Sequence, residues 1–189
     1  MPKRVFIVHC WGGTPKDNWY PWLKSELEKR GFKVEVPVMP DTNNPKIETW
    51  VPFLAKMVGK LDKDTYFVGH SMGCPTIMRY FENVKQPVGG VVFVAGFFTL
   101  TTPPSTTDED KKTLKPWLDT PVDCSKIKKV ARKIVAIFSD NDPWVPVENA
   151  QLFKNKLNAK IIIEKGQEHY SNGRKTLTIA LNELLTITK

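Results

Sequence analysis

The sequence predicts an α/β protein, a three-layer α/β/α sandwich built on a mostly parallel sheet of about six strands. Three observations carry that expectation. Short apolar runs alternate with longer amphipathic ones along the chain. Several of the short runs have no polar face, as parallel strands covered on both sides do. The 189 residues, 41% hydrophobic and 25% charged, also have the length and composition to bury a substantial core without cross-links.

Taken in order, the expected strands are Arg4–His9, Lys33–Val36, Thr65–Val68, Gly90–Ala95, Lys133–Phe138 and Lys160–Ile163. They are rich in Val, Ile and Phe, residues that suit a pleated, buried surface. The expected helices are Trp19–Arg30, Ile47–Lys60, Met72–Asn83, Pro146–Leu157 and Gly173–Leu185. In the first, Trp19, Trp22, Leu23 and Leu27 recur at helical spacing, which marks a core-facing stripe rather than a binding box. Pro146 suits a first helical turn, where its missing N–H would have no partner in any case. With no internal repeat and no dividing linker, residues 1–189 are expected to form a single domain. One stretch breaks the rhythm. Residues 97–125 hold Pro103, Pro104, Pro116 and Pro121, many Ser and Thr, and the acidic run Asp108–Asp110. The stretch reads as an irregular excursion, and as a lid or pocket wall more than passive disorder, because Leu114, Trp117 and Leu118 give it something to bury.

Charge and cysteine content narrow the function classes. The formal net charge is +8, from 28 Lys and Arg against 20 Asp and Glu. The basic residues fall in short clusters (Lys3 and Arg4, Lys111 and Lys112, Lys126 to Lys133) with no aromatic interleaving, so a dispersed basic surface is expected and no nucleic-acid partner. The three cysteines, Cys10, Cys74 and Cys124, are odd in number and lack metal-like spacing, which argues against a disulfide framework and a zinc site. No metal or other cofactor is expected. Val5–Val8 is too short for a signal peptide, and Val88–Leu100 falls short of the roughly 20 residues needed to span a bilayer. The expectation is a soluble cytoplasmic chain with no membrane partner, a monomer in preference to an oligomer.

The residues that carry chemistry sit where strands end. Gly69-His70-Ser71-Met72-Gly73 follows an expected strand and opens an expected helix. A nucleophilic serine has to stand clear of the sheet on a tight strand-to-helix turn, with glycine two positions to either side. That turn also puts the Met72 N–H at a helix N-terminus, where it can hold an oxyanion. A serine hydroxyl needs a base. Of His9, His70 and His169, the last lies in Gly166-Gln167-Glu168-His169, after the final strand and at the edge where open α/β sheets collect their catalytic groups. His70 adjoins the serine and reads as a scaffold histidine, and His9 shapes the loop after the first strand. The base in turn needs a carboxylate, for which Ser139-Asp140-Asn141-Asp142-Pro143 offers two, one of them expected to be a turn residue. Pro143 holds Asp142 out of helical geometry and stiffens its mount, which favours Asp142. The loop His9-Cys10-Trp11-Gly12-Gly13 offers the second oxyanion donor, the Trp11 N–H, its paired glycines allowing close backbone approach. No Lys-Ser/Thr follows, so a phosphate-cradling loop is disfavoured.

With serine, aspartate and histidine in that chain order, the sequence resembles the α/β-hydrolase superfamily. More narrowly, it resembles the small serine hydrolases grouped with bacterial YdeN and the retinoblastoma-binding serine hydrolase. The likeness rests on the Gly12-Gly13 loop, the elbow, Asp142-Pro143-Trp144-Val145-Pro146, the Glu168-His169 loop and Asp119-Thr120-Pro121-Val122-Asp123. It implies Ser71, Asp142 and His169 as the triad, with Trp11 and Met72 as oxyanion donors. The chain departs from the group in having His9-Cys10-Trp11 where Pro-Gly-Asn-like residues are common. The expected activity is hydrolysis of a small, soluble carboxylic ester through an acyl-enzyme. Amide or thioester hydrolysis, or a catalytically silent interaction module on the same scaffold, are the alternatives.

Overall fold

The computed structural model describes residues 2–189. Six strands form one sheet: β1 (Arg4–Val8), β2 (Lys33–Glu35), β3 (Thr65–His70), β4 (Gly90–Val94), β5 (Ile134–Ser139) and β6 (Lys160–Glu164). Every pairing between them is parallel, and the order across the sheet is β2-β1-β3-β4-β5-β6. β3, β4 and β5 are buried at every position, which is why their sequences show no polar face. β2 and β6 lie at the edges, and Ile163 of β6 is exposed.

Among the described residues there are seven helices: α1 (Tyr20–Glu28), α2 (Ile47–Val58), α3 (Gly73–Glu82), α4 (Asp108–Asp119), α5 (Cys124–Val130), α6 (Asn149–Leu157) and α7 (Thr178–Ile187). α1 packs against α7 over one face, and α2, α3, α5 and α6 form a contiguous row on the other. Of the residues at helical spacing, Trp19, Leu23 and Leu27 are fully buried and Trp22 is partly buried against the core, while Tyr20 is fully buried beside them. The chain winds from β1 out to β2 and then crosses back to β3. The strand order therefore reverses between β1 and β3, the place where open α/β sheets leave a crevice at their carboxyl ends.

The region expected to be an irregular excursion is largely helical. α4 begins at Thr107, whose side chain accepts from the Asp110 N–H while the Asp110 carboxylate accepts from the Thr107 N–H. This reciprocal capping box satisfies two helix-end donors and outweighs the polar, proline-containing composition. At the other end of α4, the buried Arg79 of α3 donates to the carbonyls of Trp117 and Thr120, at 3.2 and 2.7 Å. The Trp117 indole donates to the Pro45 carbonyl. α5 follows, with Asp123 accepting from the N–H groups of Ser125 and Lys126. The expected basic cluster beginning at Lys126 is thus mostly a helix whose Ile127 and Val130 are buried. α7 starts five residues later than expected: Gly173 is left-handed, and Leu177, just before the helix, has the non-helical φ −142° and ψ 77°.

Candidate active site

β3 ends in the turn that carries Ser71, which has φ +51°, a left-handed conformation strained for any residue but glycine. The Ser71 N–H donates to the Val94 carbonyl at 2.9 Å, so the last turn of the sheet holds the strained residue in place. The flanking glycines are forced by crowding. A Cβ on Gly73 would lie 2.1 Å from the Val8 carbonyl oxygen, and one on Gly69 3.0 Å from the Cys74 backbone. α3 can therefore start directly against the end of β1 only if its first residue has no side chain.

The loops after β5 and β6 bring Asp142 and His169 to the same place. His169 Nε2 lies 2.8 Å from Ser71 Oγ, and His169 Nδ1 lies 2.8 Å from Asp142 Oδ2 and 3.0 Å from Oδ1. Because a carboxylate only accepts, Nδ1 carries the proton and Nε2 is free to accept from the serine hydroxyl. The Asp142 side chain is 1% exposed and that of His169 14% exposed. Asp142 Oδ1 also accepts from the N–H groups of Trp144 and Val145, at 2.9 and 3.0 Å. These two donors stabilise the buried carboxylate and fix its plane, a mount supplied by backbone as well as by Pro143.

Asp140 does something other than the local turn bonding expected of it. Its Oδ1 accepts from the Gly166 N–H at 2.8 Å, across 26 residues. Ser139 Oγ accepts from the Gln167 N–H and Asn141 Oδ1 from the Glu168 N–H, both at 2.9 Å. Three consecutive side chains of the acid loop thus accept three consecutive N–H groups of the histidine loop. Sequence reasoning missed Ser139 and Asn141. Their signal, short polar residues at a strand end, does not say which distant N–H they meet.

The other two histidines are fully buried and hydrogen-bonded. His9 Nδ1 donates to the Cys10 carbonyl at 2.8 Å and its Nε2 accepts from the Met39 N–H at 3.2 Å, tying the loop after β1 to the segment after β2. Burial lowers its pKa. His70 turns away from Ser71 to contact Tyr20 and the backbone of His169.

The serine opens onto a cavity of about 360 Å³ with a largely apolar lining. Ser71, Met72 and His169 form its floor, and Trp11, Phe97, Leu100, Leu114 and Trp144 its walls. Neither the Trp11 N–H nor the Met72 N–H donates to another protein group, and both residues line this cavity. Cys10 also lines it, with a thiol pKa raised by burial. Cys74, in the first turn of α3, is fully buried and its thiol is pushed well up by desolvation. Among the described residues, no cluster of His, Cys, Asp or Glu is placed to hold a metal ion, and no helix is long and apolar enough to cross a membrane.

A parallel sheet in this order, with a left-handed serine between β3 and α3, defines the α/β hydrolases. The family model described as Serine hydrolase matches residues 5–174, and the chain belongs to that family. YdeN of Bacillus subtilis is 35% identical over 99 residues, 51% of this chain and 52% of that protein, so this alignment spans about half of each. The crystal structure of YdeN superposes with a TM-score of 0.87 at 26% identity, covering 98% of both chains. Serine hydrolase RBBP9 of Rattus norvegicus is 26% identical over 174 residues, 90% of this chain and 89% of that one. Est1E from Butyrivibrio proteoclasticus shares the fold at 15% identity, with a TM-score of 0.76 over 98% of this chain and 88% of its own.

Proposed function

We propose that the protein is a carboxylic ester hydrolase acting on small soluble substrates through an acyl-enzyme on Ser71, with His169 as base and Asp142 orienting it. The observation that carries this reading is the unbroken 2.8 Å relay from Ser71 Oγ through His169 to Asp142 at the floor of an apolar cavity. In the first half-reaction Ser71 Oγ bonds to the acyl carbon and its proton passes to His169 Nε2. The carbonyl oxygen becomes an oxyanion, for which the unengaged N–H groups of Trp11 and Met72 are the donors. Collapse breaks the bond to the leaving alcohol, which takes the proton from His169. Water then attacks the acyl-enzyme, with His169 again accepting a proton and returning it to Ser71 as the acid departs. Asp142 keeps Nδ1 protonated and stabilises the imidazolium.

The cavity supports a short acyl group. Its volume of about 360 Å³ lies at the lower end of ordinary ligand sites, and the α4 residue Leu114 closes one side as a pocket wall. The three cysteines are free thiols, which fits action in the reducing cytoplasm. The test is labelling by a fluorophosphonate probe together with hydrolysis of p-nitrophenyl esters of increasing acyl length. Ser71→Ala is expected to fold and to lose labelling and at least about a thousandfold in turnover. Labelling of that variant at the wild-type rate rejects Ser71 as the nucleophile. A clear preference for acyl chains of about sixteen carbons rejects the substrate class.

A further inference from the structure

His169 is held in a backbone shape that its own loop does not favour. Glu168 and Tyr170, on either side of it, have φ of +51° and +55°. Left-handed non-glycine residues are strained and persist only where surrounding structure over-determines them. The three stitches from the acid loop end at the Glu168 N–H. The Tyr170 carbonyl is held by Trp19 at the start of α1, and the His169 carbonyl by His70 at the end of β3.

Trp19 donates its indole N–H to the Tyr170 carbonyl at 3.0 Å. The next residue acts at longer range. The Tyr20 hydroxyl lies 2.6 Å from His70 Nδ1, and His70 Nε2 lies 2.8 Å from the His169 carbonyl oxygen. Since that carbonyl only accepts, Nε2 carries the proton, Nδ1 is bare, and the Tyr20 hydroxyl donates to it. The same Tyr20 oxygen accepts from the Cys10 N–H at 3.2 Å. One chain of hydrogen bonds therefore runs from the N–H of Cys10, the residue before Trp11, through Tyr20 and His70, to the carbonyl of His169. All of its side-chain atoms are buried.

We propose that Tyr20 and His70 are positioning residues that set the oxyanion loop and the His169 loop at a fixed distance from one another. The proposal rests on the reading of Ser71, His169 and Trp11 given above. An oxyanion donor and a general base belong to different loops, after β1 and after β6, and each has to be placed relative to the same reacting carbon. Neither loop contacts the other through its own backbone hydrogen bonds. The Tyr20–His70 pair supplies the missing rigid link, anchored in the core by α1 on one side and by the end of β3 on the other. Burial, with the nearby charge of His169 second, pushes the His70 pKa down to about 3, so the imidazole keeps the single proton that this chain requires.

Tyr20→Phe removes one oxygen atom from a packed ring and leaves the Cys10 N–H and His70 Nδ1 without a partner. It is expected to lower kcat on p-nitrophenyl butyrate about 10- to 100-fold, with KM changed less than about threefold, as misplacement of catalytic groups does. The downfield N–H proton resonance of His169 should broaden or shift in the same variant. His70→Gln keeps an N–H for the His169 carbonyl, whereas His70→Leu does not. The glutamine variant is therefore expected to turn over at least about tenfold faster than the leucine one. A Tyr20→Phe protein with a lowered melting temperature but wild-type kcat and an unshifted resonance overturns the proposal, as does equal turnover in the two His70 variants. If neither His70 variant folds, Tyr20→Phe decides alone. Ser71→Ala assayed alongside separates the two failures. Activity in Ser71→Ala rejects the nucleophile, while an inactive Ser71→Ala beside a wild-type-like Tyr20→Phe rejects only the link.

Discussion

Two aspartates two residues apart carry different duties, and the difference is set by what each carboxylate faces. Asp142 faces an imidazole N–H and two backbone donors, and Asp140 faces the Gly166 N–H. Asp142→Asn puts an amide where the carboxylate fixes the His169 tautomer, so turnover is expected to fall by something like ten-thousand-fold, as in other serine triads. Asp140→Asn keeps an oxygen for Gly166 and should chiefly lower the melting temperature. Steady-state kinetics and thermal melts of the two variants check this, and a larger kinetic loss at Asp140 reverses the assignment. The residues of the proposed triad, Ser71, His169 and Asp142, could be nominated from the sequence because each sits in a short motif with its own local chemistry. Tyr20 was not legible in this way. A tyrosine at a helix start looks like any core aromatic, and the role proposed for it rests on its meeting a histidine 50 residues away.

At the scale of elements, the strands and five of the helices follow from apolar periodicity to within a few residues at most boundaries. α4 and α5 do not. Only Leu114, Trp117 and Leu118 are apolar along α4, and Pro116 sits inside it, so composition hides the helix. The signal was in the ends: Thr107 and Asp110 form a capping box, and Asp123 caps α5. Being helical, the stretch presents Leu114 to the cavity from a rigid wall secured by Arg79 and Trp117. Leu114→Ala is accordingly expected to extend the cavity and move the best p-nitrophenyl ester to a longer acyl chain, at a stability cost of about 2–5 kcal/mol. An unchanged chain-length profile, measured across the ester panel, counts against Leu114 as a wall of the acyl site.

For the whole molecule, the consequential choice is to bury two neutral imidazoles. His9 and His70 have folded-state pKa values lowered by burial, to about 3 for His70, from an ordinary value near 6.5. Below pH 6.5 the unfolded chain takes up protons that the folded chain refuses, so stability is full above that pH and falls as acid is added toward pH 3. Between about pH 6.5 and 5 carboxylates remain mostly ionised, so the histidines dominate the slope in that window. The urea midpoint is expected to decline as the pH is lowered through that window, and to decline less steeply in His70→Gln. A variant with the wild-type slope would mean that His70 takes up its proton equally in both states.

The left-handed turn at Ser71 sets chemistry against durability. The fold alone would favour glycine at that position, since glycine accepts φ +51° without the crowding a Cβ brings. At Ser71 the strain falls where the Oγ of the proposed nucleophile would project toward a carbonyl, and Glu168 and Tyr170 flank the proposed base in the same conformation. A lineage released from the need to catalyse would gain robustness by relaxing these residues first. The proposed active centre is thus a part of this protein that selection for stability alone would erase.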